Sequence, residues 1–191
     1  MSRAVWDRAL EALRALHAGD PRLSAFVPFP DDLTETEVAP RRIPSCDLLL
    51  AEGWEASPLC AAFADAAPHA FWRLTYEDTA IGRDFLDRFG CFCLIGEGGA
   101  YASAKARAWM VYMPARLDYP WHHHPAEEIY LTLAGEAEYR REGEPPETLR
   151  AGGLSHHAPM QPHAMRTYES PVMALVMWRD RFDGPPVWTR P

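Results

Sequence analysis

The 191-residue chain is poor in cysteine, in basic residues and in long apolar runs, and each shortage excludes a class of protein. Its four cysteines are too few and too scattered for a disulfide framework. Lys and Arg number 19 against 27 Asp and Glu, and a net charge of -8 argues against nucleic acid or an anionic membrane surface as a main partner. No apolar run approaches the roughly 18–20 residues that cross a bilayer. The N-terminus lacks the apolar stretch of a secretory signal, so we expect a cytoplasmic protein.

The close pair Cys91 and Cys93 forms a C-x-C pattern, which differs from the C-x-x-C of redox or zinc sites. On a strand both side chains point to the same face. We therefore predict that they pack in the core.

The first 89 residues read as mostly helical. Apolar side chains recur every three to four residues in the first helix, and Gly19-Asp20-Pro21 ends it. Ser57-Pro58 is a start signal for a later helix, with an N-cap followed by proline. The predicted elements are a helix over Val5–Ala18, a loop with at most a short helix over Pro28–Pro44, one or two helical turns over Asp47–Trp54, and a helix from Pro58 to about Ala67.

From about residue 90 the pattern changes to short apolar or alternating runs separated by glycine and proline. Such runs at spacings near ten residues predict a small antiparallel barrel or sandwich. Turn signals include Ala134-Gly135 and Gly152-Gly153. The predicted strands are Cys91–Ile95, Ala108–Met113, Glu128–Leu133, Ala137–Arg141, Met165–Thr167 and Val172–Trp178.

Histidine is concentrated in one part of the chain, because six of the eight histidines lie between positions 122 and 163. His122 and His124 are two residues apart, so on an extended chain both face the same way. Glu128 adds a carboxylate on the next strand, and His163 adds a third imidazole. This set suits one divalent transition metal, namely Zn, Fe, Mn, Co or Ni, with a position left open for water or substrate.

Three further histidines are expected outside this ligand set. His123 alternates to the opposite face. His156 and His157 precede His163 in what should be a turn, where they line the barrel mouth or, as we expect, lie in a solvated loop.

The spacing H-x-H-x3-E-x6-G is met by His122, His124, Glu128 and Gly135, and it resembles the first motif of the cupin superfamily. The segment 152–163 resembles the second motif, without its final asparagine. The resemblance implies a mainly β fold, a jelly-roll-like antiparallel cupin barrel over 90–191 that carries the metal site. A helical region over 1–89 is expected to pack on this barrel.

Two tyrosines flank the ligand set and are candidate catalytic groups. Tyr130 lies two residues after Glu128, and Tyr119 three before His122. A phenol is a poor base at its ordinary pKa near 10, but a cation beside it favours the phenolate. Tyr130 could then take a proton next to a metal-held carboxylate, with Tyr119 as the rival base or a substrate-positioning group; the alternative for Tyr130 is a barrel-core aromatic.

The extended motif resembles the cupin dimethylsulfoniopropionate lyases, most closely the DddQ type. The resemblance implies β-elimination of dimethylsulfoniopropionate to dimethyl sulfide and acrylate. It implies a metal held by His122, His124, Glu128 and His163, with Tyr119 and Tyr130 beside it. The residues that carry it are Tyr119-Pro120-x-His122-x-His124-x3-Glu128-x-Tyr130, Leu133–Ala137, Pro162–Thr167 and Ala174–Trp178.

The expected partner is a small zwitterion whose sulfonium group suits aromatic faces. Candidate substrate-binding rings are Tyr119, Trp121 and Trp178, with Trp54 or Trp72 from the helical part. The protein itself is expected to be a monomer or a homodimer. Two other functions remain open for a cupin: an Fe(II)- and O2-dependent dioxygenase, and a non-catalytic small-molecule-binding protein.

Overall fold

The computed structural model describes residues 2–54, 56–77, 79–182 and 184–189. The helices within this part are α1 (Ser2–Gly19), α2 (Pro21–Phe26), α3 (Pro44–Glu52), α4 (Pro58–Ala66) and α5 (Arg83–Arg88), with a 3-10 turn at Ala67–His69. The strands are β1 (Thr34–Glu35), β2 (Trp72–Arg73), β3 (Gly90–Ile95), β4 (Tyr101–Ala102), β5 (Arg107–Met113), β6 (Asp118–His123), β7 (Glu127–Arg141), β8 (Glu147–Arg150), β9 (Leu154–His157), β10 (His163–Arg166), β11 (Val172–Arg179) and β12 (Val187–Trp188).

Two of the helices begin directly after residues that cap their N-termini. Ser57 accepts a hydrogen bond from the Cys60 amide at 3.2 Å and starts α4, as predicted. Asp20 accepts from the Arg22 amide at 2.9 Å and starts α2, an element that the sequence analysis missed. Gly19-Asp20-Pro21 therefore ends one helix and begins another.

The strands form a sheet in the order β1-β4-β3-β5-β11-β7-β10-β6-β12, with β2 beside β3 and with β8 and β9 beside β7. Every pairing is antiparallel except the single β3–β4 contact. Strand β7 pairs with β9 and β11 along its first half and with β8 and β10 along its second half. Side chains of both halves of the sheet pack together in one core, so the sheet folds over on itself at β7.

The bend in β7 falls at Gly135, which the sequence analysis placed in a turn between two strands. The chain instead continues as one strand, and its pairing with β11 shifts register just before Gly135, at Leu133, because Met173 pairs with Ala134 and Ala174 with Thr132. Gly135 has φ +73°, and a Cβ there would lie 1.8 Å from the Pro171 carbonyl oxygen. Glycine is required because the backbone bends there against another backbone.

Alternation along β11 divides the interior into two cores. Val172, Ala174, Val176 and Trp178 face the inside of the folded sheet. Met173, Leu175 and Met177 face the helices, in a core that also contains residues of α1, α3 and α4. The helical elements thus cover one face of the sheet.

The four cysteines are buried free thiols. Cys91 and Cys93 are both in the interior, as predicted for a C-x-C on a strand. Among the described residues, no helix has the length and apolar character needed to span a membrane. The predicted mainly β architecture with N-terminal helices is confirmed.

Candidate metal centre

The site begins with a row of three side chains across neighbouring strands. Glu128 on β7 is opposite Trp178 on β11 and opposite His157 on β9. Directly opposed residues of antiparallel strands project to the same face. The register therefore places the Glu128 carboxylate between an indole and an imidazole.

A bulge in β6 brings a second pair of rings to the same place. His163 pairs with His122 and Met165 with Tyr119, so two steps along β10 match three along β6. The extra residue rotates the strand locally, and both Tyr119 and His122 line one cavity. Their rings stack at 4.0 Å with 12° between the planes.

Three of the four predicted metal ligands come together. His124, Glu128 and His163 each offer a donor atom, and these atoms all lie within 4.8 Å of one another. All three side chains are buried. His122 is not in this group, but its ring lies beside it, with centroids 4.1 Å from His163 and 6.5 Å from His124, and it stacks on Tyr119. Its role as a fourth ligand stays a prediction.

The backbone determines which nitrogen of each ligand histidine is free. Nδ1 of His124 lies 3.0 Å from the Ala126 carbonyl, and Nδ1 of His163 lies 2.9 Å from the Gln161 carbonyl. A carbonyl oxygen only accepts, so Nδ1 carries the proton in both rings. In the neutral rings Nε2 then holds the lone pair, which is the tautomer a metal ligand needs.

The lone pairs on these two Nε2 atoms point at the Glu128 carboxylate, whose oxygens are also acceptors. Nε2 of His124 is 3.3 Å from Glu128 Oε1, and Nε2 of His163 is 3.2 Å from Glu128 Oε2. Both Nε2 atoms are buried and have no hydrogen-bond partner among the described residues. Neutral imidazoles facing a buried carboxylate need a cation between them. One carboxylate and two imidazoles fit a divalent first-row metal, so the residues present suit the expected cofactor.

The electrostatics keep Glu128 ionised. Burial opposes its charge, but the adjacent imidazoles of His124 and His163 and the hydrogen bond from His157 outweigh burial and hold the Glu128 pKa well below its usual range. Burial and the neighbouring His163 keep the pKa of His122 well below its usual value. The site therefore combines a negative carboxylate with a neutral His122.

The histidines left outside the ligand set have different surroundings. His123 points away from the site, and its Nδ1 bonds Thr189 Oγ1 at 2.6 Å. His156 and His157 lie on β9 rather than in a loop. His156 is solvent-exposed and bonds Glu127, but His157 is buried and bonds Glu128. The expectation of a solvated His157 is wrong, and no sequence signal pointed to its burial because the pairing of β9 with β7 is long-range.

Both predicted catalytic tyrosines line the cavity, and both are buried phenols. Burial, followed by the charge of Glu128, raises the pKa of Tyr130 well above its ordinary value. Burial likewise raises the pKa of Tyr119. In the absence of added positive charge these side chains are neutral, so ionisation of Tyr130 requires a cation beside it.

A third phenol, Tyr76, was missed in the sequence. Its hydroxyl is 3.2 Å from that of Tyr119, and its ring meets His122 edge-on at 6.3 Å. Its φ of +71° lies in the left-handed region, which is uncommon for an aromatic residue. Tyr76 precedes the barrel in an irregular segment, so neither spacing nor alternation connects it to the site.

The cavity has a volume of about 460 Å³ and is lined by many aromatic rings. Trp178 lines it, but Trp121 does not. Trp54 and Trp72 lie in the core between helices and sheet, where each indole N–H bonds a backbone carbonyl at 2.8 Å. Of the four tryptophans proposed as substrate contacts, the structure brings Trp178 to the cavity.

A family model described as dimethylsulfoniopropionate lyase matches residues 25–174. The chain belongs to this lyase family. It is 50% identical over 190 residues to the dimethylsulfoniopropionate lyase DddQ of Ruegeria pomeroyi, covering 97% of this chain and 94% of that protein.

Solved structures agree with this membership. The crystal structure of DddQ from Ruegeria pomeroyi superposes with a TM-score of 0.94 at 47% identity, over 97% of this chain and 96% of that one. A structure described under the DMSP lyases RdDddP and RnDddQII also gives 0.94, at 34% identity and full coverage of both chains. The predicted cupin-type fold with its N-terminal helical region is confirmed.

Proposed function

We propose that this protein cleaves dimethylsulfoniopropionate into dimethyl sulfide and acrylate in a metal-dependent β-elimination. One observation carries the proposal: a single cavity holds a three-residue cation site, two buried phenols and a wall of aromatic rings. Membership of the lyase family supports the same reaction class.

His124, Glu128 and His163 would hold one divalent ion, of zinc, iron, manganese, cobalt or nickel. The ion would supply Lewis-acid stabilisation for negative charge that develops next to a carboxylate. The protein contributes a buried carboxylate and two imidazoles whose protonation is already fixed by backbone carbonyls.

The reaction needs a base at the substrate α-carbon. Removal of the α-proton leaves an electron pair that forms the carbon–carbon double bond, and the bond from the β-carbon to sulfur breaks. Dimethyl sulfide leaves as a neutral molecule, so no general acid is needed. Tyr130 is our candidate for the base, because its hydroxyl belongs to a ring that lines the cavity two residues from Glu128.

The rest of the cavity suits the two ends of the substrate. Tyr119 would position the substrate, with its hydroxyl tied to Tyr76. The sulfonium end would lie against aromatic faces, for which Trp178 is placed beside His124 with 4.4 Å between ring centroids. Trp121, the other predicted substrate-binding tryptophan of the barrel, does not line the cavity.

The direct test is headspace detection of dimethyl sulfide after the substrate is added to metal-loaded protein, with acrylate measured in the same sample. We expect the two products in equal amounts and no dioxygen uptake. His124→Ala serves as the control that lacks a ligand. Absence of both products from fully metal-loaded protein, or product formation that requires dioxygen, would overturn the proposal.

We further propose a cytoplasmic enzyme, active as a monomer or homodimer, in which residues 1–89 and the barrel 90–191 fold together. The shared core between the helices and the outer face of the sheet supports the last point. Expression of 90–191 alone should give insoluble protein, because that face would be exposed.

A further inference from the structure

His157 is buried and its ring is fully hydrogen-bonded, although it is not one of the proposed metal ligands. It is 1% exposed, and both of its ring nitrogens have partners. Nδ1 lies 2.7 Å from Glu128 Oε2, and Nε2 lies 3.0 Å from Ser155 Oγ. The ring also stacks on His163 at 4.0 Å.

The partners of His157 fix the orientation of its ring. A carboxylate oxygen accepts, so Nδ1–H donates to Glu128. The Ser155 hydroxyl bonds Nε2 and holds the ring from its other side. A chain of two hydrogen bonds therefore runs from Ser155 through His157 to Glu128.

A second donor holds the other oxygen of the same carboxylate. Trp178 Nε1–H donates to Glu128 Oε1 at 2.6 Å. Each Glu128 oxygen thus accepts one N–H from a strand neighbour, and each also faces the Nε2 of a ligand histidine. The carboxylate is held in one orientation before any ion binds.

We propose that His157 is a positioning residue that orients Glu128 for metal binding, with Ser155 holding the imidazole in place at Nε2. The proposal rests on the metal site of the proposed function. A group that hydrogen-bonds a metal ligand without touching the metal typically strengthens metal binding about 10–100-fold. An apolar side chain at 157 would fill the same space. If His157 only packed, that substitution would leave metal affinity unchanged.

The test uses three substitutions that separate donor position from volume. An Asn at 157 can place its amide N–H near the position of Nδ1, a Gln reaches instead toward Ser155, and a Leu offers no donor. The measurement is the dissociation constant of Zn²⁺ in competition with a chromophoric chelator. We expect His157→Leu and His157→Gln to weaken Zn²⁺ binding about 10–100-fold and His157→Asn to recover most of the loss. His156→Asn, a change to the exposed neighbour, is the matched control.

A spectroscopic measurement supplements the affinity. The visible spectrum of the Co²⁺-loaded protein reports ligand geometry, and it should change in His157→Leu but resemble wild type in His157→Asn. Ser155→Ala keeps the imidazole and removes only the hydrogen bond at Nε2. It should weaken Zn²⁺ binding by a smaller factor, and it serves if the His157 variants fail to fold.

The outcomes distinguish this inference from the site on which it depends. Loss of Zn²⁺ in His124→Ala together with wild-type affinity in His157→Leu and in Ser155→Ala would overturn the positioning role alone. Equal losses in Asn, Gln and Leu variants would also overturn it, since packing and not a donor would then matter. Full Zn²⁺ binding by His124→Ala would instead refute the metal site.

Discussion

The hydroxyl of Tyr76 lies 3.2 Å from the hydroxyl of Tyr119, and this contact joins a segment before the barrel to the wall of the cavity. Tyr76 adopts φ +71°, a conformation that costs free energy for a bulky residue. Burial raises its pKa, so it is a neutral donor or acceptor. The cavity is therefore completed by the helical region and not by the barrel alone.

Tyr76→Phe should lower kcat/KM about 2- to 10-fold while metal content stays unchanged. The variant loses one neutral hydrogen bond, worth about 0.5–1.5 kcal/mol, that orients Tyr119. Tyr112→Phe is the matched control, because this buried hydroxyl bonds Glu52 at 3.3 Å outside the cavity. Steady-state kinetics that show the same change in both variants would contradict a role for Tyr76 in the site.

Metal content should separate the three proposed ligands from His122. Elemental analysis of His124→Ala and His163→Ala should show the ion largely lost, because each removes one of three donors. His122→Ala should retain close to one ion per chain. Its ring packs on Tyr119, so the expected defect is in turnover. A metal-free His122→Ala would restore the four-ligand set expected from sequence.

The sequence predicted the strands near the site well because their signal is local. The runs now seen as β3, β5, β10 and β11 carry their own alternation or apolar character, and the short H-x-H spacing falls on one extended segment. The bulge in β6 was invisible because it depends on the partner strand β10. For that reason the sequence alone did not show that His122 packs between Tyr119 and His163.

Long-range pairing explains what was missed. His157 acquires its role from the register of β9 on β7, which places it opposite Glu128. Tyr76 reaches the site from an irregular segment, and Trp121 on β6 does not line the cavity. Local pattern carries no information on any of these contacts, whereas the H-x-H-x3-E spacing is local and points to His124 and Glu128.

Gly135→Ala should destabilise the protein strongly. A non-glycine residue at φ +73° costs about 1–2 kcal/mol, and its Cβ would also collide with the Pro171 carbonyl. Gly143→Ala is the control, since Gly143 has φ +84° but a Cβ there would have no other atom within 4 Å. Denaturant midpoints should fall much further for Gly135→Ala, and equal shifts would mean that the carbonyl contact is relieved at little cost.

The bond from Tyr101 to Asp7 should make stability depend on pH. The Tyr101 hydroxyl donates to Asp7 Oδ1 at 2.7 Å and ties β4 to α1. This bond lowers the pKa of Asp7, and burial together with Asp7 raises the pKa of Tyr101 to about 12. The Asp7 contribution is present above its unfolded pKa of about 3.9 and is lost as pH falls through its folded pKa. The Tyr101 contribution is present below about pH 10 and is lost as pH rises through about 12.

Tyr101→Phe should therefore lower Tm by roughly 2–4 °C at pH 7, with a smaller difference at pH 3. Thermal unfolding monitored by circular dichroism at both pH values tests this. Tyr168→Phe, which removes an exposed hydroxyl bonded to Glu138, should have little effect. A Tyr101→Phe deficit that is the same at pH 3 and pH 7 would exclude an ionised Asp7 as its cause.

Replacement of the candidate base gives the sharpest test of the mechanism. Tyr130→Phe removes only a hydroxyl, so fold and metal content should survive, and turnover should fall about 10²–10⁴-fold. Tyr139→Phe is the matched control, since that ring packs 5.8 Å from Tyr130 but its hydroxyl bonds Thr132 in the core. Turnover should be measured at equal metal occupancy, with substrate deuterated at the α-carbon for the residual activity. If Tyr130→Phe is near normal and Tyr119→Phe is inactive, Tyr119 is the base, because it is the other buried phenol of the cavity.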